Sequence, residues 1–204
     1  MNILAFLSYC IIVTFTPGPA NVVILATVQN HGTGKGVQYA SGATLAFGLL
    51  LGLSATLSGT LADIMPWIGP AMGFVGAAYM LLLAYGICTA GGPADTDGTA
   101  QDGVGKSAFR TGFIMQFINP KVILFTVTVF PGFVTPYYSS PLHLGAFVML
   151  LTAIGCSAFM SWVLLGAVLR RFLLAYRTAV NIVLALFLAY SAFVVSGLGP
   201  ILLS

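Results

Sequence analysis

Charge is what this chain most lacks. Of 204 residues only 5% are charged, Glu is absent, and four Asp stand against seven Lys and Arg. A soluble domain carries about 25% charged residues, so this chain cannot clothe a globular surface in water. Seven dispersed cations, net +3, also fall short of the clustered basic patch that nucleic-acid binding requires. Cysteine is scarce: Cys10, Cys88 and Cys156 sit far apart in apolar stretches without a C-x-x-C or a nearby His, and are predicted to be small buried core residues. No Lys or Arg precedes the first apolar run, so a secretory signal peptide is not expected. What fills the chain instead is hydrocarbon, with 59% hydrophobic residues and a mean hydropathy of +1.04. Residues 1–34, 36–62, 64–94, 122–169 and 178–204 carry no charge at all. A spanning helix needs about 20 apolar residues, so each window holds a span and 122–169 has room for two. The expected class is an all-α integral membrane protein.

Turn and charge signals predict six transmembrane helices, over 3–29, 37–62, 67–89, 108–133, 142–169 and 178–200. The breaks are H-G-T-G-K-G (31–36), D-I-M-P-W (63–67), P-G-F-V-T-P-Y-Y-S-S-P (131–141) and R-R-F-L-L-A-Y-R (170–177), with one long Gly/Asp/Thr-rich loop over 90–107. Six of the seven cations then fall on one side: Lys35, Lys106, Arg110, Arg170, Arg171 and Arg177. The positive-inside rule makes that side cytoplasmic and both termini external. Tyr137, Tyr138 and Trp67 fit an outer interfacial belt.

The two halves resemble one another. Shifted by 103 residues, Pro17 falls on Pro120, Gly42 on Gly145 and Thr16 on Asn119. The predicted organisation is a first three-helix repeat (1–89), a cytoplasmic loop (90–107) and a second three-helix repeat (108–204). Three spans are an odd number, so the second half enters the membrane upside down, a 3+3 inverted repeat with broken helices 1 and 4.

Two constellations carry chemistry. In T-P-G-P-A-N, Thr16 to Asn21, Pro17 and Pro19 lack an N–H and flank Gly18, so an intact helix is not expected. Broken backbone at membrane depth survives where protein or a wet cavity satisfies it, which predicts an unwound binding element and a half-helix starting near Pro19 whose N-terminus favours an anion. In Q-F-I-N-P-K, Pro120 breaks the fourth helix, and Gln116 and Asn119 bring amides. Lys121 lies 11 residues past Arg110, about 16 Å deeper at helical rise and too deep to snorkel. Holding a cation there costs on the order of 3 kcal/mol or more. Lys121 is therefore expected either to anchor a carboxylate or to change protonation during transport. A small-residue stripe, Ser41, Gly48, Gly52, Ala55 and Gly59, reads as a helix-packing surface. Asn181 is a lesser candidate, open between a packing hydrogen bond and a ligand contact. His31 and His143 read as solvated, and Asp63 as an interfacial charge. No catalytic constellation, metal site or cofactor is predicted.

These motifs, in this order and spacing, resemble the LysE/RhtB amino-acid exporters over essentially the whole chain. The carrying stretches are T-P-G-P-A-N (16–21), H-G-x-x-x-G (31–36), G-A-A-Y (76–79), F-x-N-P-K (117–121) and F-P-x-F (130–133). Q-F-I-N-P-K-V-I-L (116–124) and N-I-V-L-A-L from Asn181 are most similar to the cysteine/O-acetylserine exporter branch. The resemblance implies six spans in a bacterial-type inner membrane and efflux of amino acids or close derivatives, driven by the proton gradient. It also implies that exporters of basic amino acids carry an acid in the second helix. Here Gly42 to Gly52 holds none, which leaves small neutral substrates of the cysteine, O-acetylserine, threonine or homoserine type.

The rival readings are a membrane thiol–disulfide carrier and a metal-ion exporter. The first needs a redox Cys in each half, but Cys10 falls on Phe113. The second needs acidic, His or Cys ligands within the spans. The expected mechanism is alternating access around a zwitterion. Its carboxylate meets Lys121 and the half-helix N-termini after Pro19 and Pro120. Its ammonium meets carbonyls freed near Thr16 and Ile118, and Asn21, Asn119 and Gln116 set its orientation. The sequence gives no sign of oligomeric state.

Overall fold

A computed structural model describes residues 2–89 and 107–196. Pro17 and Pro19 end the first helix where expected. α1 (Ile3–Phe15) stops before them, and α2 (Pro19–His31) restarts with Pro19 in its first turn, where a missing N–H is harmless. The two pieces meet at 44°. The same device recurs at α4 (Ala108–Ile118) and α5 (Pro120–Val129), with Pro120 in the first turn of α5 and a bend of 60° between α4 and the stretch Pro120–Val134. Structurally the restarts pair Pro19 with Pro120, two residues away from the predicted pairing of Pro17 with Pro120. Both predicted broken helices are present.

Past α5 the chain widens into a π-helix, Phe130–Val134. Pro131 explains it: its ring would clash with the Val127 carbonyl in a tight turn, and the backbone N–H of Thr135 instead reaches the Phe130 carbonyl at 2.9 Å. Then follow α6 (Pro141–Val168), a short α7 (Arg170–Ala175) and α8 (Arg177–Val195). The predicted break over 170–177 is thus mostly a short helix, set off by non-helical backbone at Leu169 and Tyr176.

A second correction concerns α3 (Thr33–Thr89). The predicted turn over 63–67 is absent, and the helix is interrupted at Leu57 (φ −115°, ψ 22°) instead. At the preceding residue, the Thr56 hydroxyl donates to the carbonyls of Gly52 (3.0 Å) and Leu53 (3.1 Å), competing with the backbone ladder. The helix carries Pro66 onward, as membrane helices tolerate. The expected belt residue Trp67 and the charge of Asp63 belong to side chains outside those described, and most of the 90–107 loop lies outside the described residues.

Thr33–Leu57, Pro141–Val168 and Arg177–Val194 are long and apolar enough to cross a membrane, and each bent pair is so when its two pieces are taken together, as a broken span or a re-entrant loop. Phe74–Thr89 is apolar but shorter. The outer faces are hydrocarbon: Leu142, Met149 and Val168 on α6 are 82%, 71% and 80% exposed. Water would not tolerate such a surface, but lipid does. This is an all-α membrane protein.

α3 is the hub, packing on α2, α4, α5, α6 and α8. Its crossing with α4 is reciprocal: a Cβ at Gly42 would land on the Phe109 carbonyl, and one at Gly112 on the Tyr39 carbonyl. These glycines, rather than the predicted stripe, permit the closest approach. Of the stripe, Gly48 meets Thr152 of α6 and Ala55 is buried, while Ser41 is exposed and a Cβ at Gly52 would meet nothing. The H-G-x-x-x-G turn owes its first glycine to a positive φ (86° at Gly32) and its last to α2, since a Cβ at Gly36 would strike Val28. Cys10 is buried as expected, but Cys88 is exposed and Cys156 half-buried. His31 and His143 are exposed, as expected.

Candidate functional site

The two breaks face each other. Between them lies a cavity of about 30 Å³ whose polar end is formed by Gly18, Asn21, Asn119 and Lys121. That volume holds about two waters and no amino acid, so the site is contracted, while Thr16 at its edge stays exposed.

Lys121, in the first turn of α5, reaches across to α1, where its ammonium donates to the Thr16 carbonyl. Its stem lies on Gly18: a Cβ there would stand 2.9 Å from Lys121 Cδ and 3.4 Å from Nζ. The glycine is thus needed for room and not for its dihedrals, which are extended (φ −157°, ψ 173°). None of the described side chains is a carboxylate, and the partner that Lys121 has is a main-chain dipole. Asn21 Nδ2 donates to the same Thr16 carbonyl at 3.0 Å. Its Oδ1 is buried and finds no partner among the described residues. Lys121 and Asn21 therefore line one small cavity, with a buried amide oxygen beside it that has no partner among the described residues.

The break carbonyls are less available than expected. Thr16 is taken by Lys121 and Asn21, and a Cβ at Gly76 would stand 2.6 Å from the Ile118 carbonyl oxygen, so the G-A-A-Y glycine closes over it. The Phe15 carbonyl accepts from Trp162 Nε1 of α6 at 3.2 Å. A substrate ammonium cannot use Thr16 or Ile118 in this state. The half-helix N-termini also differ. Asn119 Oδ1 caps α5 by accepting from Lys121 N at 3.2 Å, whereas no side chain caps α2.

Other predicted residues stand apart. Pro17 is exposed and does not line the cavity, and Pro19 is buried at the restart. Gln116 is fully buried, donates weakly to the Gly112 carbonyl (3.4 Å) and leaves Oε1 without a partner among the described residues, but does not line the cavity. Asn181 also lies off it: its Oδ1 accepts from Gln29 Nε2 at 2.8 Å, a buried link between α8 and α2. That link uses one atom of each amide, and Asn181 Nδ2 and Gln29 Oε1 are buried with no partner among the described residues. Near it Arg177 Nε donates to Asn30 Oδ1 at 3.2 Å.

Sequence reasoning missed the apolar end of the cavity, walled by Phe47, Phe125, Phe159 and Gly155 with Val13 and Val122. Nothing in a chain this rich in aromatics marks those rings. Trp162 had a signal, because an indole N–H in an apolar helix requires an acceptor.

Among the described residues no group of His, Cys, Asp or Glu could hold a metal ion. The profile of the LysE type translocator family matches residues 11–197. The chain is 33% identical over 188 residues to the cysteine/O-acetylserine efflux protein of Klebsiella pneumoniae subsp. pneumoniae, covering 92% of this chain and 93% of that one. It is 34% identical to the proteins of the same name from Escherichia coli K12 and Shigella flexneri serotype 5b, covering 92% of this chain and 94% of each. No solved structure matches. With a match across nearly its whole length, motifs included, the chain belongs to the LysE type translocator family.

Proposed function

We propose that this protein exports small neutral amino acids or their derivatives, of the cysteine, O-acetylserine, threonine or homoserine type, from the cytoplasm by antiport with protons. One observation carries the reading: Lys121, with no carboxylate partner among the described residues, lines one small cavity together with Asn21, whose Oδ1 has no partner among them either. That pair complements a zwitterion. The substrate carboxylate takes Lys121, supported by the uncapped N-terminus of α2, and the substrate ammonium donates to Asn21 Oδ1. Thr16, left by Lys121, keeps Asn21 Nδ2 as its donor, so the exchange strands no buried carbonyl. Because Lys121 and Thr16 sit at opposite breaks, a carboxylate that draws Lys121 off Thr16 loosens the contracted site, and this links binding to opening. The relatives named for cysteine and O-acetylserine efflux support the substrate class.

The accompanying topology is six spans in a bacterial-type inner membrane, arranged as inverted halves 1–89 and 108–204 about a cytoplasmic loop, with both termini periplasmic. Everted membrane vesicles energised with an imposed pH gradient test the function. They should accumulate labelled cysteine or O-acetylserine, should lose the uptake when the gradient is collapsed, and should not accumulate lysine or arginine. Uptake of lysine alone would refute the assignment.

A further inference from the structure

The polar end of the cavity accounts for the invariant head of an amino acid and says nothing of its side chain. That information lies at the other end. Phe47 of α3 is 2% exposed. It stacks on Phe125 of α5 (centroids 5.8 Å, 25°) and meets Phe159 of α6 edge-on (6.2 Å, 81°). Its remaining flank is closed by Gly155 of α6, where a Cβ would stand 2.5 Å from both Cδ1 and Cε1 of the ring. Gly155 and Phe159 are one turn apart on α6 and present one face. The ring is thus confined on three sides, and its open side is the cavity. The one hydroxyl on the apolar stretch, that of Thr14, is tied to its own helix through the Cys10 carbonyl at 2.7 Å.

We infer that the contact between Gly155 and Phe47 sets the length of the side chain this transporter accepts, within a compartment that takes short uncharged groups. The inference rests on the proposed amino-acid export. The compartment offers an ionised side chain no partner, so desolvation excludes it. Length is limited by where the Phe47 ring stands, and that ring can stand where it does because residue 155 has no Cβ. A methyl group at 155 pushes the ring into the cavity, and a smaller side chain at 47 enlarges it. Apolar walls discriminate by about 10- to 200-fold for a methylene-sized difference, so the effect is one of ratios.

The test compares initial uptake of labelled alanine, cysteine, O-acetylserine and methionine by everted vesicles holding wild type, Gly155→Ala or Phe47→Leu at matched, detergent-stable expression. Gly155→Ala should lower the O-acetylserine to alanine ratio by about tenfold or more. Phe47→Leu should raise that ratio and admit methionine, and it tests the inference even if Gly155→Ala does not fold. Equal scaling of every substrate in Phe47→Leu, leaving the ratios of wild type, overturns the inference while leaving export intact. If wild type moves none of the four, amino-acid export itself fails and the inference falls with it.

Discussion

Replacing Lys121 by Met keeps the length and apolar stem of the side chain and removes its charge. Lys121 donates to Thr16, but Asn21 Nδ2 donates to the same carbonyl at 3.0 Å, so the substitution leaves no orphaned acceptor there. Holding an ammonium at membrane depth costs on the order of 3 kcal/mol, so the variant should insert and should be at least as stable as wild type. Transport is another matter. A hydrogen bond to a charged group contributes about 1.5–3 kcal/mol, and losing the one to the substrate carboxylate corresponds to about 10- to 150-fold in affinity. Initial uptake of O-acetylserine by everted vesicles, at subsaturating substrate and matched expression, should fall by that factor. Lys121→Arg should also be impaired. The stem of Lys121 already lies on Gly18, and a planar guanidinium cannot occupy the place of a compact ammonium in a cavity of about 30 Å³. A snorkelling lysine would give the opposite pattern, with Arg active and Met nearly so. Near wild-type flux through Lys121→Met would end the carboxylate-anchor argument.

Gly18→Ala tests the same contact from the other side. Its backbone is extended and accepts any residue, so the protein should fold, while a Cβ 2.9 Å from Lys121 Cδ displaces the ammonium and lowers uptake by up to about 100-fold; normal flux would show that Lys121 need not lie there. Asn181→Leu strands the buried Gln29 amide and should lower the inactivation temperature in detergent by several degrees, whereas Gln29→Leu together with Asn181→Leu should recover most of the loss. An altered substrate profile at unchanged stability would instead return Asn181 to the binding site. A topology reporter inserted near Gly98 should read cytoplasmic and one fused after Ser204 periplasmic; the reverse would overturn the cation asymmetry from which the orientation was argued.

What could be read ahead of the structure was whatever carried its own local physics. Pro17, Pro19 and Pro120 lack donors wherever they stand, so both breaks were legible, and a lysine in hydrocarbon needs a reason whatever its neighbours are. Asn21 was legible as a polar group at such a break, but its orphaned oxygen was not, because that depends on which other donors reach Thr16. The turn expected at 63–67 failed because Pro66 is a weak breaker inside a membrane helix, and the interruption falls at Leu57, next to the Thr56 hydroxyl that bonds back onto the helix, a bond that Thr27 and Thr152 make without a break. The expected ammonium sites at Thr16 and Ile118 failed for a different reason. A carbonyl freed by a proline is available only if nothing else fills it, and here Lys121, Asn21 and Gly76 do.

The walls of the cavity were illegible for a reason particular to membranes. In a water-soluble helix the apolar stripe marks the buried face, because the other face must be polar. In lipid both faces are apolar, and α6 shows the consequence: Leu164 is 60% exposed to the bilayer side while Phe159 is 6% exposed and faces the cavity. Hydrophobicity cannot separate the two. What does separate them is size, since protein-facing positions must admit a neighbouring backbone or ring and lipid-facing ones need not. The glycines follow that rule where contacts are tight: Gly42 and Gly112 admit each other's helix, Gly76 admits the Ile118 carbonyl, and Gly155 admits Phe47. A glycine in a membrane helix points to the inner face only when a neighbour occupies the place of its Cβ: at Gly34, Gly52, Gly86 and Gly145 an added Cβ would meet nothing.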